Sequence, residues 1–342
     1  MVLKKLNYLP ILFFLTIGII GCQSKPQSSE KKIHEQATNV SVEGLSDVTI
    51  GLSIKTLSAP YFVAQLKVIE QEAKARGMDF IYIDAQDDIL RQISNVEDLL
   101  ARGIDLLILN PLDPKALIMA TKSATRAGVP VIIVDSSIDQ KADFVTTIQS
   151  NNLRNGELVG EWLVDQMDGE KINACVLSGA QGNPVGKERR QGVFRGIIEQ
   201  QLRTLGETRF ELKMQGWGNW TYEGGLKAME DMIVANPDIN VLISEQDAMA
   251  LGAMQAVREA GKEDQILIVS AADGQKEAFE MIKRGNYGAT GLNDPSLIAK
   301  QAIEIAVQVL KGEKDFPQVI YTPAACISKE NVDDFYNPNS IF

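Results

Sequence analysis

The pattern that most constrains the fold of this chain is an alternation of short apolar runs with amphipathic segments. Runs such as Leu106–Leu109 and Val131–Val134 are apolar throughout, which is typical of strands buried on both faces of a parallel sheet. The segments between them place apolar residues at helical spacing and end at Gly77, Gly103 and Gly128. These glycines lie 26 and 25 residues apart, one strand–helix unit each. The pattern predicts a doubly wound α/β sheet.

The same alternation begins again after residue 150. A chain of 342 residues is longer than one ordinary core requires, so two domains are expected. A helix is predicted over 221–235, and a short extended piece over 144–148. Further strands are predicted at 174–177, 210–214, 241–243, 266–269 and 287–290. Two successive sheets without a long linker predict two similar Rossmann-like lobes side by side.

Composition excludes several classes of protein. The single histidine, His34, lies in a polar segment, so the folded body has no histidine for a triad, a zinc site or a general base. The net charge of -11 argues against nucleic acid as a partner. Cys175 and Cys326 are expected to be small buried apolar residues, with a disulfide between them as the alternative. We expect no cofactor, no metal and a monomeric chain.

The first 22 residues indicate export. Lys4 and Lys5 precede an apolar run that is too short to anchor a protein across a bilayer. The run ends Ile19-Ile20-Gly21-Cys22, which looks like a bacterial lipobox, in which Cys22 becomes the lipidated first residue. The alternative is a plain secretory signal cleaved near Gly21. Residues 23–45 are polar and predict a flexible tether to a lipid-anchored, extracytoplasmic body, either on a cell surface or in a periplasm.

The functional residues are expected at the carboxyl ends of the strands, where open α/β sheets bind ligands. The candidates combine carboxylates, amides, two basic groups and aromatic rings. They are Lys55, Tyr61, Phe62, Asp135, Arg189, Trp220, Gln246, Asp273 and Asn293. Such a set suits a sugar, because charged and planar groups form paired hydrogen bonds with hydroxyls and aromatic faces contact the ring. As alternatives, Asp135 could cap a turn and Arg189 could lie on a solvated helical face.

Two enzyme-like patterns are incomplete. The segment 179–187 follows a strand and opens a helix, as a phosphate loop would, but Glu188 stands where serine or threonine would bind magnesium. Carboxylates are numerous enough for a surface glycosidase, although their spacing in the sequence cannot establish a catalytic pair. We therefore expect a binding protein and no enzyme.

Six segments, in this order and spacing, resemble the ribose-binding-protein group of substrate-binding proteins for bacterial ABC sugar importers. The likeness covers roughly residues 47–335, and its segments are 55–62, 110–113, 128–135, 187–192, 247–252 and 272–274. It implies a type I periplasmic-binding-protein fold, with hinge crossings near 150, 293 and 324 and closure around one sugar. The N-terminal lobe would comprise 46–150 and 294–323, and the C-terminal lobe 151–293 and 324–342.

The resemblance also implies roles for the candidates. Asp135 and Asp273 match the family's ligand aspartates, and Arg189 its ligand arginine. Its stacking aromatics match Tyr61 or Phe62 from one lobe and Trp220 from the other, and Gln246 and Asn293 match its amide positions. The implied partner is an ABC permease in the membrane. The alternative is a sensor that presents its closed form to a membrane receptor kinase.

Departures from the ribose binders concern the identity of the sugar. Lys55 stands where they usually have a small polar residue, and the segment 55–58 resembles allose-binding relatives instead. Ala59, Ser136 and Ala272 are smaller than the residues usual there, which would leave more space. The resemblance therefore favours a hexose or a cyclitol over ribose.

Overall fold

A computed structural model describes residues 45–342. The predicted signal peptide at 1–22, the lipidation of Cys22 and the tether at 23–45, except for its last residue, lie outside the described residues. From residue 45 onward the chain forms twelve strands, nine α-helices and one short 3-10 turn at Val332–Asp334.

The first sheet has six strands, all parallel. They are β1 (Thr49–Ile54), β2 (Asp79–Asp84), β3 (Leu106–Leu109), β4 (Val131–Val134), β5 (Thr146–Ser150) and β11 (Val319–Thr322), in the order β11-β5-β4-β3-β1-β2. Its helices are α1 (Pro60–Ala75), α2 (Ile89–Ala101), α3 (Ile118–Arg126) and α9 (Pro295–Leu310). One apolar core lies under α1 and α9, and a second under α2 and α3. We call this sheet and its helices the first lobe.

The second sheet also has six strands and repeats the arrangement. They are β6 (Ile172–Ser178), β7 (Phe210–Trp217), β8 (Val241–Ser244), β9 (Leu267–Asp273), β10 (Ala289–Leu292) and β12 (Cys326–Ser328), in the order β12-β10-β9-β8-β6-β7. Only β12 runs antiparallel to its neighbour. The helices α4 (Asn152–Met167), α5 (Pro184–Leu205), α6 (Tyr222–Ala235), α7 (Asp247–Glu259) and α8 (Lys276–Arg284) cover it. This sheet and its helices are the second lobe.

The predicted doubly wound α/β class is confirmed, because strands and helices alternate and the order of strands reverses beside β1 and again beside β6. Several strands differ in extent from the prediction: β6 covers 172–178, β7 reaches Trp217 and β10 covers 289–292. Two further differences concern strands that end at a lobe connection or at a candidate residue. β5 extends to Ser150, because its polar residues pair with β11, which lies far away in the sequence. β9 extends to Asp273, where it pairs with β10.

The chain passes between the two lobes three times, at residues 150–152, 292–295 and 322–326. The fully buried side chain of Asn155, on α4, forms hydrogen bonds to all three connections. Its Nδ2 donates to Ser150 Oγ at 2.9 Å and to Leu292 O at 2.5 Å. Its Oδ1 accepts the N–H of Ala325 at 3.1 Å. These bonds place the three connections side by side.

The helices α4 and α5 pack with their backbones in close contact. Each carries two glycines four residues apart, Gly156 and Gly160 on α4 and Gly192 and Gly196 on α5. A methyl group added at any of the four would overlap a carbonyl oxygen of the facing helix. Asn183 caps the start of α5 by accepting the N–H groups of Val185 and Gly186. This packing fixes the first turns of α5, from which Arg189 extends.

Residues 45–342 have no membrane-spanning helix, and their two cysteines are not paired. None of their helices combines the length and the apolarity that a membrane crossing requires. Cys175 and Cys326 are free thiols, so the disulfide alternative does not hold; Cys175 is buried as predicted, whereas Cys326 is only partly buried. Burial raises the pKa of Cys175 to about 11 and that of Cys326 to about 12, so both stay protonated at neutral pH.

Candidate functional site

The predicted site residues all lie where strands end and helices begin. Those of the first lobe follow β1 or β4. Those of the second lobe follow β7, β8 or β10, end β9, or lie in the first turns of α5. The carboxyl ends of parallel strands share one edge of a sheet, so each lobe presents its polar residues along one edge. A hydrogen bond from Tyr61 to Asn293 joins the two edges.

In the first lobe, Asp135 is surrounded by side-chain donors. Lys55 Nζ lies 3.0 Å from its Oδ2 and also donates to Ser136 Oγ at 2.9 Å. Asn110 Nδ2 donates to the same carboxylate oxygen at 3.2 Å. The φ angle of Asp135 is 65°, a left-handed conformation that is rare outside glycine and concentrated at functional sites. These donors to the carboxylate are side chains, which is unlike the surroundings of a turn-capping aspartate.

These neighbours stabilise the charged form of the Asp135 carboxylate. Burial by itself would raise the pKa of this carboxyl, but the Lys55 ammonium and the hydrogen bonds from Lys55 and Asn110 lower it below its ordinary value. Asp135 is therefore a carboxylate at neutral pH and an acceptor for hydroxyl groups.

In the second lobe, Arg189 and Asp273 form a buried ion pair. Arg189 Nη2 lies 2.8 Å from Asp273 Oδ1, and the two residues are 5% and 4% exposed. The guanidinium also donates from Nε to Asn152 Oδ1 and from Nη1 to the carbonyl of Glu245, each at 3.0 Å. Three bonded nitrogens fix its plane. The solvated-face alternative for Arg189 is therefore wrong in this structure.

The two adjacent aromatics at the start of α1 have different surroundings. Tyr61 is 6% exposed, and its hydroxyl donates to Asn293 Oδ1 at 3.1 Å. Burial, with the charges of Asp135 and Asp273, raises the pKa of this phenol well above its ordinary value. Phe62 packs on the first-lobe core, and its ring lies 4.6 Å from Lys55 Nζ. Tyr61 is thus the aromatic that reaches the second lobe.

Trp220 lies in the loop between β7 and α6 in a left-handed conformation, with φ of 63°. Its indole lies so close to Gly179 and Gly186 that a side chain at Gly179 would overlap it. The Arg189 guanidinium is 6.0 Å from the ring centroid. The ring therefore rests on glycine backbone beside the buried ion pair.

Two amide oxygens at the strand ends are buried without a hydrogen-bond partner among the described residues. They are Asn110 Oδ1 after β3 and Gln246 Oε1 after β8. Buried polar atoms are nearly always paired, so an unpaired acceptor in each lobe is suited to a ligand donor. Gln246 was predicted from the sequence. The sequence also places Asn110 at the end of its strand, as it places Asp135.

Three other residues support the site. Asp247 is fully buried and accepts the N–H groups of Gly274 and Gln275, which hold the loop that follows Asp273. The side chain of Asn152 orients Arg189. Phe342 contacts Tyr61, with ring centroids 5.2 Å apart. The sequence places Asp247 beside Gln246 at the end of a strand, whereas Asn152 and Phe342 carry no local pattern that marks them.

Comparisons with known proteins agree with this architecture. A family model described as the periplasmic binding protein domain matches residues 50–314. The ribose import binding protein of Bacillus subtilis is 37% identical over 78% of this chain and 83% of that protein. The ribose import binding protein of Salmonella typhimurium is 31% identical over 81% of this chain and 90% of its own length.

Solved structures show the same likeness. An ABC transporter periplasmic solute binding protein from Actinobacillus succinogenes with bound D-allose has a TM-score of 0.77, 28% identity and coverage of 84% of this chain and 100% of that one. A solute binding protein from Bacillus halodurans with bound myo-inositol has a TM-score of 0.76, 25% identity and coverage of 85% and 98%. With its fold, its site edges and the family model in agreement, the chain belongs to the periplasmic binding protein family, with the type I fold.

Proposed function

We propose that this protein is the substrate-binding component of an ABC importer, and that it captures a monosaccharide or a cyclitol. The family and the relatives support binding in place of catalysis, because the similar proteins are named as import binding proteins and solute binding proteins. Those names also favour transport over the receptor-kinase sensor.

The observation that carries the proposal is the matched pair of polar edges. The first lobe presents Asp135 with Lys55, and the second presents Asp273 with Arg189. Carboxylates and cations held in fixed geometry form strong, directional hydrogen bonds with hydroxyl groups. In a closed cleft such bonds discriminate between sugars, because an unmatched buried group costs free energy.

Closure would occur about the three connections between the lobes. The moving bodies would be residues 46–150 with 294–323, and 151–293 with 324–342. Support comes from the strands, since β11 pairs within the first sheet and β12 within the second. The closed form would then be the state that docks on the permease. The permease would thereby distinguish the sugar-bound protein from the sugar-free one by its conformation.

Two features of the site and two of the relatives support a ligand class. Lys55 is directed at Asp135 and Ser136, where it can also donate to a hydroxyl group. The small side chains that the sequence has at Ala59, Ser136 and Ala272 would suit a ligand larger than ribose. Two of the similar solved structures contain bound D-allose, a hexose, and bound myo-inositol, a cyclitol. We therefore propose a hexose or a cyclitol as the preferred ligand, ahead of ribose.

The lipid anchor at Cys22 belongs to the same proposal. A Cys22→Ser chain should be released from the membrane fraction, whereas the unaltered chain should stay with it. Equal distribution of the two chains would contradict the anchor.

Thermal unfolding of the purified full-length protein tests the proposed function. Melting curves would be recorded against ribose, allose, other hexoses and inositols, since a ligand at about a thousand times its Kd adds about 4 kcal/mol of stability. One sugar should raise the Tm clearly. Asp135→Asn should abolish that shift, and Asp264→Asn, a matched change at an exposed carboxylate, should retain it. No shift before or after unfolding and refolding would refute the sugar proposal.

A further inference from the structure

The segment that precedes the last six residues is packed against the second lobe. Val332, in the 3-10 turn, is 1% exposed, and Phe335 and Tyr336 pack against the second-lobe core. Lys283 on α8 pairs with Asp333 at 2.5 Å and lies 4.6 Å above the ring of Tyr336. The segment up to Tyr336 therefore moves with the second lobe.

The six residues that follow, Asn337–Phe342, form what we call the strap. Lys276, the first residue of α8, donates from Nζ to the carbonyls of Pro338 at 2.5 Å and Ser340 at 3.5 Å. Lys276 comes three residues after Asp273, so the strap is fastened beside the loop that carries this aspartate. Further on, Ser340 Oγ accepts the N–H of Phe342 at 3.2 Å, which turns the chain back on itself.

The strap ends on the opposite lobe. The Phe342 ring meets Tyr61 edge to face, at a centroid distance of 5.2 Å and an interplanar angle of 87°. Phe62 meets the same tyrosine at 5.1 Å and 79°. The Tyr61 ring is thus held between an aromatic of its own lobe and one that the second lobe supplies. Edge-to-face pairs of this kind are attractive beyond the area that they bury.

From these contacts we propose that Phe342 is a positioning residue of the sugar site, which fixes Tyr61 when the lobes are closed. The hydroxyl of Tyr61 donates to Asn293, and Asn293 donates to Asp273 at 2.9 Å. A ring that fixes Tyr61 therefore acts on the second-lobe end of the site. Because the strap is fastened to the second lobe, the contact with Tyr61 requires the lobes to be close together. The strap thereby favours the closed state, an inference that rests on the proposed function.

Binding measurements test the coupling between the two rings. Calorimetric titration of the full-length protein with D-ribose, D-allose and myo-inositol would compare wild type, Phe342→Ala, Tyr61→Leu and the double variant. For whichever sugar binds, Phe342→Ala should raise Kd about five-fold through loss of one aromatic pair. In the Tyr61→Leu background the same change should have no further effect. An unchanged or lower Kd for Phe342→Ala, or additive effects, would overturn the proposal.

A matched control and a sugar-free measurement complete the test. Tyr321→Ala removes an aromatic ring that is 52% exposed on β11, and it should leave Kd unchanged. With 4-fluorophenylalanine at position 342, the fluorine resonance of the sugar-free protein should move when Tyr61 is replaced by leucine. A resonance that does not move would refute the ring contact by itself. If none of these three ligands binds, the titrations are repeated with the ligand that raises the Tm in the melting panel. A blank panel refutes the sugar proposal, and the fluorine measurement still decides the position of Phe342.

Discussion

At the scale of single residues, Asp273 connects the main components of the site. Its Oδ1 contacts both Arg189 and the side-chain amide of Asn293, whose oxygen accepts the Tyr61 hydroxyl. The ion pair is almost fully buried, so its two charges depend on each other. Removing one partner of such a pair leaves an uncompensated buried charge, which is strongly destabilising.

We expect Asp273→Asn to lower both affinity and stability. The free energy of unfolding should fall by about 3 kcal/mol, because Arg189 loses its counter-charge inside the protein. Sugar affinity should fall on the order of 100-fold, since a charged hydrogen-bond acceptor is lost. Denaturant unfolding and calorimetric titration measure the two effects. The matched change Asp264→Asn on the surface should alter neither quantity, and wild-type affinity in Asp273→Asn would remove this residue from the site.

The ionisation of Asp135 leads to a prediction about pH. In the folded wild type the pKa of Asp135 lies below its ordinary value, so the charged carboxylate stabilises the folded protein. This stabilisation is complete above the ordinary pKa of an aspartate, and it is lost as the pH falls through the lowered pKa of the folded protein. Sugar affinity should therefore be equal at about pH 7.5 and about pH 5, as far as this carboxyl is concerned.

Lys55→Met should make binding sensitive to pH. Without the ammonium, burial is the dominant influence and raises the pKa of Asp135, so a protonated fraction grows as pH falls. We expect Kd at about pH 5 to exceed Kd at about pH 7.5 by at least about three-fold in the variant, and by little in the wild type. Titrations at both pH values provide the measurement. Identical pH profiles would show that Lys55 does not hold the charge of Asp135.

At the scale of elements, the contact between α4 and α5 sets the position of Arg189. The facing glycines allow carbonyl oxygens of one helix to lie against the Cα atoms of the other. Helix propensity alone predicts that alanine in place of glycine stabilises a helix by about 1 kcal/mol. The close packing predicts the opposite sign, because an added methyl at Gly196 would overlap the carbonyl of Glu157.

Gly196→Ala should therefore lower the free energy of unfolding, by about 1–3 kcal/mol, as overpacked cores do. Glu199→Ala, on the exposed side of the same helix, should change stability by less than about 0.5 kcal/mol. Chemical denaturation of both variants decides between packing and propensity. Greater stability of Gly196→Ala would mean that the two helices are farther apart than described.

At the scale of the whole molecule, Asn155 links the three connections on which lobe movement depends. It bonds Ser150, Leu292 and Ala325, one residue from each connection, and none of the predicted ligand residues. A change at this position therefore acts on the hinge and leaves the polar edges intact.

We expect Asn155→Ala to loosen the hinge. The N–H of Ala325 loses its partner, and the carbonyl of Leu292 keeps only the hydroxyl of Ser150, so stability should fall by about 1–3 kcal/mol. The sugar-free variant should also show a larger radius of gyration than the wild type in small-angle X-ray scattering. Asn155→Asp is the matched variant, because its carboxylate can still accept the N–H of Ala325 but has no N–H to donate to the carbonyl of Leu292. An unchanged radius of gyration in both variants would contradict the role of Asn155 at the hinge.

Local patterns in the sequence were sufficient to specify the fold class and the edge at which function lies. Apolar runs alternating with helical periodicity and closing glycines specify strand–helix units, and in a parallel sheet every strand ends at the same edge. For this reason Lys55, Asp135 and Asp273 are identifiable as candidates from their positions after predicted strands. Their order and spacing also resemble one family, and the comparisons bear that resemblance out.

Which residues meet across the sheets depended on the three-dimensional arrangement of the chain. The pairing of Arg189 with Asp273, the three bonds of Asn155 and the contact of Phe342 with Tyr61 join positions that are far apart in the chain. No local pattern marks such partners, because periodicity reports the environment of a residue along its own helix or strand. The choice between Tyr61 and Phe62 likewise depended on the second lobe, where Asn293 supplies the acceptor for the tyrosine hydroxyl.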